Sequence, residues 1–341
     1  MSAVDLFAGC GALSLGLKWA GYSVTAAVEI NPGRAKTYSL NHPGTDVLQR
    51  DIRTVAGEEI LKAARVSRGG LALVAGCPPC QGFSRIRRRN KAKAVRDGRN
   101  DLVAEFGRLV LETRPKAIMM ENVPGLERDQ IFERLLRSLR GAGYRIDWRI
   151  MQLSRYGVPQ RRRRLVMVGW LGFARPDLGL LPQSPGGTVR DAIATLPRIP
   201  KSSKALHNYR TFRSKTVKDR IRSIPRNGGS RSQLPKSLSL DCHADYNGFR
   251  DVYGRMAWDE AAPTITGGCI NPSKGRFLHP YRHRAISLLE AARLQSFPIW
   301  YRFDSSMGRY PIAEMIGEAL PPRFASRAAR FVVEAVSGTP R

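Results

Sequence analysis

Cys80 is the residue whose surroundings most strongly indicate covalent chemistry. It lies in residues 76–84 (GCPPCQGFS), directly after an apolar run that is typical of a buried strand. Pro78 and Pro79 stiffen the backbone ahead of the thiol, and the basic residues that follow are expected to raise the fraction of thiolate. The pattern predicts that Cys80 is a nucleophile.

Two other interpretations of Cys77 and Cys80 are weaker. Prolines fill both positions between them and no thioredoxin-like pattern surrounds the pair, which disfavours a redox centre. A zinc site would need further ligands at close spacing, and the remaining candidates do not provide it: Cys242, His243, Cys269, His279 and His283. We therefore expect no metal site, and an odd number of irregularly placed cysteines favours a reducing compartment.

A glycine-rich motif predicts a nucleoside cofactor. Residues 5–13 (DLFAGCGAL) are typical of a strand that enters a tight turn and then a helix, where the backbone can approach a ligand closely. Glu29 follows the second predicted strand, where an acid commonly binds ribose hydroxyls, and Asp51 with Ile52 could meet an adenine. A purely structural turn is the alternative. These residues alone do not separate a nicotinamide cofactor from S-adenosylmethionine.

The charge of the chain predicts a polyanionic partner. Its 57 Lys and Arg residues exceed 28 acidic residues and give a formal net charge of +29. Eight basic residues against one acid occupy residues 81–100, and twelve against one occupy residues 198–236. Nucleic acid is the expected partner. A generally basic proteome or a solubility device would also explain the charge.

Apolar runs alternate with amphipathic segments through the first half of the chain. Amphipathic helices are predicted over 102–111 and 131–139, and the runs typical of buried strands are 4–7, 24–28, 71–75, 117–120 and 165–170. This alternation predicts an α/β fold with a doubly wound, mostly parallel sheet. Ligands in such sheets bind beyond the carboxyl ends of the strands.

Composition divides the chain into two predicted domains. Residues 1–175 form the first, completed by residues 306–341, whose apolar stripe at helical spacing is expected to dock on it. Residues 176–305, rich in Pro, Gly, Ser and Arg, form a second, smaller and irregular domain. No run of about 18 apolar residues and no signal peptide pattern is present, so we expect a cytoplasmic protein without membrane contact.

Five further stretches carry motifs that, with the two above, point to one family. They are GRNDL at 98–102, ENV at 121–123, YGVPQRRRR at 156–164, residues 282–298 with EAARLQSFP, and GEALPP at 317–322. Together they resemble the motifs of DNA cytosine carbon-5 methyltransferases, in the family's order across nearly the whole chain. Two positions depart from the family's usual residues: Glu318 stands where asparagine is usual, and Cys77 where glycine is usual.

The resemblance implies a Rossmann-like, S-adenosylmethionine-dependent methyltransferase fold, with residues 176–305 as the target-recognition domain. It implies S-adenosyl-L-methionine as the cofactor. The cofactor contacts that it implies are Asp5, Phe7, Ala8, Gly9, Gly11, Leu13, Glu29, Ile30, Asp51, Ile52 and Pro78.

The family chemistry assigns further roles. Cys80 would add to carbon 6 of a flipped cytosine and make carbon 5 nucleophilic. Glu121, whose burial is expected to favour its protonated form, would act at ring nitrogen 3. Gln160, Arg162 and Arg164 are spaced by two and would face the base and Glu121 from one side of an extended chain. The implied catalytic residues are thus Cys80, Glu121, Arg162 and Arg164.

The resemblance also predicts how DNA is held. Residues 84–98 look like the family's mobile loop, which would close over the flipped base. The DNA contacts that we expect are Gln81, Ser84, Arg85, Arg99 and Gln160.

Double-stranded DNA is the expected partner and a monomer the expected state. A cognate restriction endonuclease would be encoded nearby without being bound. Two rival functions stay open: the same chemistry on transfer RNA, although the Cys-Phe-Thr stretch usual in that branch is missing, and a catalytically silent DNA-binding repressor.

Overall fold

The computed structural model describes residues 1–79, 101–172, 176–197, 206–207, 213–239 and 251–337. Within these residues the chain forms two compact units. Unit 1 comprises residues 1–156, 163–183 and 320–341, and unit 2 comprises residues 157–162 and 184–319.

A seven-stranded sheet, counted over the described residues, forms the centre of unit 1. Its order is β3-β2-β1-β4-β5-β8-β6. The strands are β1 (Ser2–Leu6), β2 (Ser23–Val28), β3 (Asp46–Leu48), β4 (Leu73–Gly76), β5 (Ala117–Asn122), β6 (Tyr144–Gln152) and β8 (Arg163–Leu171). The pairings among β1 to β5 are parallel, whereas β8 runs antiparallel to both β5 and β6. The predicted α/β class with a mostly parallel sheet is confirmed.

The helices of unit 1 pack on this sheet through apolar stripes. They are α1 (Ala12–Trp19), α2 (Pro32–Asn41), α3 (Gly57–Ala64), α4 (Leu102–Thr113), α5 (Gln130–Gly141) and α10 (Pro322–Ser337). Local sequence fixes where two of them begin. Asn31 accepts from the N–H groups of Gly33 and Arg34 ahead of Pro32, and Asp129 accepts from the N–H of Ile131.

Unit 2 has little regular structure in its described residues. Its elements are β7 (Gln160–Arg161), α6 (Val189–Ile193), α7 (Lys215–Ser223), β9 (Ala262–Pro263), α8 (Leu288–Leu294) and α9 (Arg309–Glu318). The strands β7 and β9 pair in parallel.

The limits of the units differ from those predicted from composition. Residues 176–183 belong to unit 1, where Asp177 pairs with Arg149 of β6. Residues 306–319 belong to unit 2. There α9 packs closely on the backbone of Thr266, because a Cβ added at Gly317 would lie 2.1 Å from the Thr266 carbonyl carbon. Composition does not record such contacts, so the predicted boundaries at 175 and 306 are corrected to 183 and 320.

The C-terminal helix docks on α1, as its apolar stripe predicts. Phe324, Ala328 and Val332 are fully buried in unit 1. Gly16 of α1 lets the two helices approach, because a Cβ there would lie 2.4 Å from the Cβ of Ala325. None of the helices in the described part of the chain has the length and apolar composition needed to cross a bilayer.

We expect Gly16→Ala to destabilise the protein by about 1–3 kcal/mol, since the added methyl group cannot fit between α1 and α10 without a backbone shift. Chemical unfolding measures this change. The matched control is Gly44→Ala, where the added Cβ meets open space and the free energy of unfolding should stay within about 0.5 kcal/mol of wild type. Equal values for the two variants would contradict the packing argument.

Candidate active site

The loop between β1 and α1 forms a cradle at the carboxyl end of the sheet. Phe7, Gly9 and Gly11 all have positive φ angles, of 60°, 54° and 89°. The Ala8 N–H donates to the Val28 carbonyl and so ties the loop to the end of β2. The loop thus exposes backbone rather than side chains, because Ala8 itself is buried. Such a turn leaves room for a ligand close to the chain.

Glu29 fixes this loop from the end of β2. One carboxylate oxygen accepts the Gly9 N–H at 2.8 Å and the other accepts the Asn31 N–H at 2.8 Å. A carboxylate has about four lone-pair sites, so each oxygen can accept a further donor. The next residue, Ile30, is 61% exposed and presents an apolar surface beside the carboxylate.

The other predicted cofactor residues differ in how they are placed. Leu13 is buried in α1, and Ile52 packs in the hydrophobic core of unit 1. Any contact from Ile52 must therefore come from its main chain. Asp51 caps the turn that follows it by accepting the Arg53 N–H, and its other oxygen pairs with the Arg53 guanidinium at 3.0 Å.

Asp5 lies beneath the cradle and is fully buried. Its Oδ2 atom accepts from the Ser14 hydroxyl at 2.6 Å and from the Ser14 N–H at 3.1 Å, which fixes the start of α1. Its Oδ1 atom has no hydrogen-bond partner among the described residues. Desolvation by burial raises the pKa of Asp5 to about 7, against the lowering effect of the Ser14 hydrogen bonds.

The segment that leads to Cys80 is anchored where β4 ends. The Asn122 side-chain amide donates to the Pro78 carbonyl at 3.0 Å, and its carbonyl oxygen accepts the Val123 N–H at 2.8 Å. Asn122 thereby holds the chain two residues before the predicted nucleophile. Sequence reasoning named Asn122 as part of a motif but assigned it no role. Its position beside Glu121 at a strand end could have indicated one.

Several predicted residues lie outside the described residues. They are Cys80, Gln81, Ser84, Arg85 and Arg99. Their predicted roles as nucleophile and DNA contacts stay predictions.

Glu121 meets a cation at the end of β5. Its Oε1 atom lies 2.6 Å from Nε of Arg164, with side-chain exposures of 6% and 16%. The two side chains form an ion pair. The described residues provide no hydrogen bond to Oε1. Because β8 runs antiparallel to β5, with Glu121 opposite Val166, the beginning of β8 reaches the carboxyl end of β5. The structure thus brings together two of the predicted catalytic residues.

Arg162 forms hydrogen bonds to main-chain carbonyls. Its guanidinium is buried in unit 2 and donates to the carbonyls of Ile265 at 3.0 Å, Gly317 at 2.9 Å and Glu318 at 3.3 Å. The burial of Gln160 and Arg162 and the exposure of Arg161 and Arg163 follow the alternation predicted for this segment. The catalytic role predicted for Arg162 stays a prediction.

Gln160 is also turned inward. Its side chain is fully buried in unit 2, where the amide donates to the Leu294 carbonyl and its oxygen accepts the Ile265 N–H. Because the Gln160 side chain is fully buried and hydrogen-bonded within unit 2, it cannot contact DNA. The DNA-contact role predicted for Gln160 is corrected to a structural one.

One family of known proteins matches the chain along nearly its whole length. The profile of the family described as C-5 cytosine-specific DNA methylase matches residues 1–334. The chain belongs to this family. It is a DNA cytosine-5 methyltransferase.

No group of three or more His, Cys, Asp or Glu residues that could hold a metal ion occurs among its described residues.

Curated relatives support the assignment along the full length. The methyltransferase is 33% identical to the Type II methylase M.HgiDII of Herpetosiphon aurantiacus, over 93% of this chain and 91% of that protein. It is 31% identical to the Type II methyltransferase M.XorII of Xanthomonas oryzae, over 99% and 85%.

Solved structures share the fold. A crystal structure described as a DNA modification methyltransferase encoded within an E. coli prophage matches with a TM-score of 0.73 and 27% identity, over 99% of both chains. The Dnmt2 methyltransferase of S. pombe matches with a TM-score of 0.63 at 17% identity, over 98% of both chains, which shows likeness of fold alone.

We expect Arg164→Met to destabilise the methyltransferase by about 3 kcal/mol, because it leaves the buried Glu121 carboxylate without its cation. Unfolding in urea measures the loss. Arg163→Met is the matched control, since Arg163 is exposed. Adding Glu121→Gln to Arg164→Met should recover part of the lost stability, and equal stability of the two single arginine variants would refute the ion pair.

Asp5 should give the stability of the methyltransferase a distinctive pH dependence. Its pKa is about 7 in the folded state, against 3.8 for an aspartate exposed to water. Between these values the folded state holds a proton that the unfolded state has released, so stability decreases as pH rises through this window.

The asparagine of the Asp5→Asn variant cannot ionise. Between about pH 5 and about pH 7.5, the free energy of unfolding of wild type should therefore fall relative to that of the variant. Urea unfolding at both pH values measures it. A difference that is constant with pH would show that Asp5 does not titrate in this range.

Proposed function

We propose that the methyltransferase transfers a methyl group from S-adenosyl-L-methionine to carbon 5 of a flipped cytosine in a specific double-stranded DNA sequence, through a covalent Cys80 adduct. The observation that carries the proposal is the convergence at the ends of β4 and β5. There Asn122 holds the approach to Cys80, while the neighbouring Glu121 is buried beside Arg164.

The residues of the β1–α1 cradle fit S-adenosylmethionine. A Cβ at Gly9 would meet nothing within 4 Å, so this turn borders open space. Glu29 would accept hydrogen bonds from ribose hydroxyls, the exposed Ile30 side chain would pack on the adenine, and Asp51 with the main chain of Ile52 would bind the adenine edge. When bound, the cofactor supplies the electrophilic methyl group.

The described residues of the loop support this assignment in other ways. Phe7, Ala8, Gly11 and Leu13 shape the turn and the first turn of α1, whereas Asp5 holds α1 in place from below. Pro78 lies at the edge of the same site and is fixed by Asn122.

The chain's own chemistry then acts on the base. The Cys80 thiolate adds to carbon 6 of the cytosine, and the electron pair of the 5,6 double bond makes carbon 5 nucleophilic. Glu121 holds or donates a proton at ring nitrogen 3, where negative charge develops. Arg164 fixes the Glu121 carboxyl. After the methyl group has transferred, a base such as water removes the proton from carbon 5, and Cys80 leaves as thiolate.

Duplex DNA is the proposed substrate because the matching family is described as a DNA methylase and because the chain carries a net charge of +29. Carbon 6 of a base in a duplex is then reached by extruding the base. Gln81, Ser84, Arg85 and Arg99 would contact DNA, and residues in 176–305 would recognise the target sequence. The Type II names of its relatives support a place in a restriction–modification system, with a monomeric cytoplasmic enzyme and an endonuclease encoded nearby but not bound.

We expect DNA that contains 5-fluorocytosine, incubated with S-adenosyl-L-methionine, to form an adduct with wild-type protein that survives denaturation. After methyl transfer, fluorine stands where the proton would leave carbon 5, so Cys80 cannot be eliminated and the sulfur–carbon bond is trapped. Denaturing electrophoresis of the complex measures it. Cys80→Ala should give no adduct, and Cys77→Ala, the matched control three residues earlier, should still form one.

The same assay separates the rival functions. An adduct with transfer RNA but not with DNA would favour the RNA substrate. Absence of any adduct, together with retained DNA binding, would favour a silent repressor.

A further inference from the structure

Unit 2 carries a cluster of cationic and aromatic side chains that the proposed reaction does not use. Tyr281 is 48% exposed. The guanidinium carbon of Arg226 lies 4.0 Å from the centroid of the Tyr281 ring, and that of Arg282 lies 5.7 Å from it. Two cations thus share one aromatic ring at the surface, held by cation–π attraction.

The two cations over Tyr281 have no anionic partner within the part of the chain that the structure describes. Neighbouring arginines are different. Arg190 donates two hydrogen bonds to Asp259, and Arg284 donates two to Glu290. The charges over Tyr281 are therefore available to an external anion, whereas those of Arg190 and Arg284 are neutralised within unit 2.

Buried contacts fix the two segments that carry these cations. Arg255 is fully buried and donates to the Pro225 carbonyl at 3.1 Å and to the Arg282 carbonyl at 2.6 Å. The Asn227 N–H donates to the Pro280 carbonyl at 2.8 Å. The segments are thus joined before any ligand binds, which lowers the ordering cost of binding.

His279 holds the turn that presents Tyr281 and Arg282. Its Nδ1 atom accepts the N–H groups of both residues at 3.1 Å. Burial is the main cause that lowers the pKa of His279 to about 4, so the ring is neutral near pH 7 and Nδ1 keeps its lone pair. The turn therefore keeps both hydrogen bonds near pH 7.

The local field is positive. The pKa of His283 is lowered by burial and, beyond that, by the charges of Arg255, Arg226 and Arg222. The arginine contribution to this shift is in keeping with the two cations over Tyr281, whose charge would attract an anion.

A cavity of about 380 Å³ adjoins the cluster, and both Tyr281 and Arg282 line it. Trp258 and Pro197 contribute apolar wall. This volume lies in the range of small-ligand sites. Arg282 beside the apolar wall would suit a phosphate and its sugar, while Glu290, which also lines the cavity, is paired with Arg284.

We propose that Arg226, Tyr281 and Arg282 bind a backbone phosphate of the DNA substrate and form a nucleic-acid contact within unit 2. The proposal rests on the proposed function, since it takes DNA as the partner. The forked donors of arginine suit phosphate oxygens, and such a contact positions the duplex without reading its sequence.

The test is the affinity for a random-sequence DNA duplex over a series of salt concentrations. In the double variant Arg226→Gln/Arg282→Gln, the slope of log affinity against log salt should become shallower by about 1, because one phosphate contact is lost and each contact contributes about 0.9 to the slope. Tyr281→Ala should weaken binding by removing the ring that orders both cations, whereas Tyr281→Phe should bind as wild type does.

The matched control is Arg50→Gln/Arg149→Gln, which removes the same charge from two arginines that are already paired with acidic residues, Glu59 and Asp177. This control should keep the wild-type slope. An equal change of slope in both double variants would show a general charge effect and overturn the site, as would an unchanged slope in Arg226→Gln/Arg282→Gln. Failure of the wild-type protein to bind DNA at all would overturn the proposed function together with the site.

Discussion

The carboxyl ends of β4 and β5 lie next to each other, and the candidate active site depends on that adjacency. Gly76 is paired with Met120 across the two parallel strands, so the chain that leaves β4 passes the last residues of β5. Asn122 uses this proximity to hold the Pro78 carbonyl. The antiparallel β8 then contributes its first residues, and with them Arg164, to the same edge. A parallel β8 would have placed Arg164 at the opposite edge, away from Glu121.

The cradle between β1 and α1 is supported from behind by elements distant in sequence. Asp5 fixes the start of α1 through Ser14, and α10, more than 300 residues later in the chain, packs against Gly16 of the same helix. The Glu29 carboxylate closes the loop from the side. The glycine-rich turn is therefore held open by contacts on three sides, which lets a flexible sequence keep one conformation before the cofactor binds.

In its described residues, unit 2 has few helices and strands whose own hydrogen bonds would satisfy the backbone. Buried arginines take over this role. Arg162 donates to three carbonyls and Arg255 to five, including those of Ile221, Ile224 and His279. Each guanidinium carries five donors, so one side chain can satisfy several carbonyls that no helix or strand pairs. Part of the positive charge of the chain thus serves the fold, and only the remainder is available to DNA.

The sequence by itself determined the α/β class, the strands before the cradle and before Cys80, the glycine turn, and Glu121 at a strand end, since hydrophobic periodicity and turn residues act over a few neighbours. It missed β6, whose residues 144–152 mix buried and charged positions. Only the tertiary structure decided that Gln160 and Arg162 turn into unit 2 while Arg164 reaches Glu121, and where the units divide. Gln160 and Arg162 bind partners that lie more than 100 residues away in the sequence. A local sequence pattern does not indicate which distant carbonyl or carboxylate the folded chain brings near.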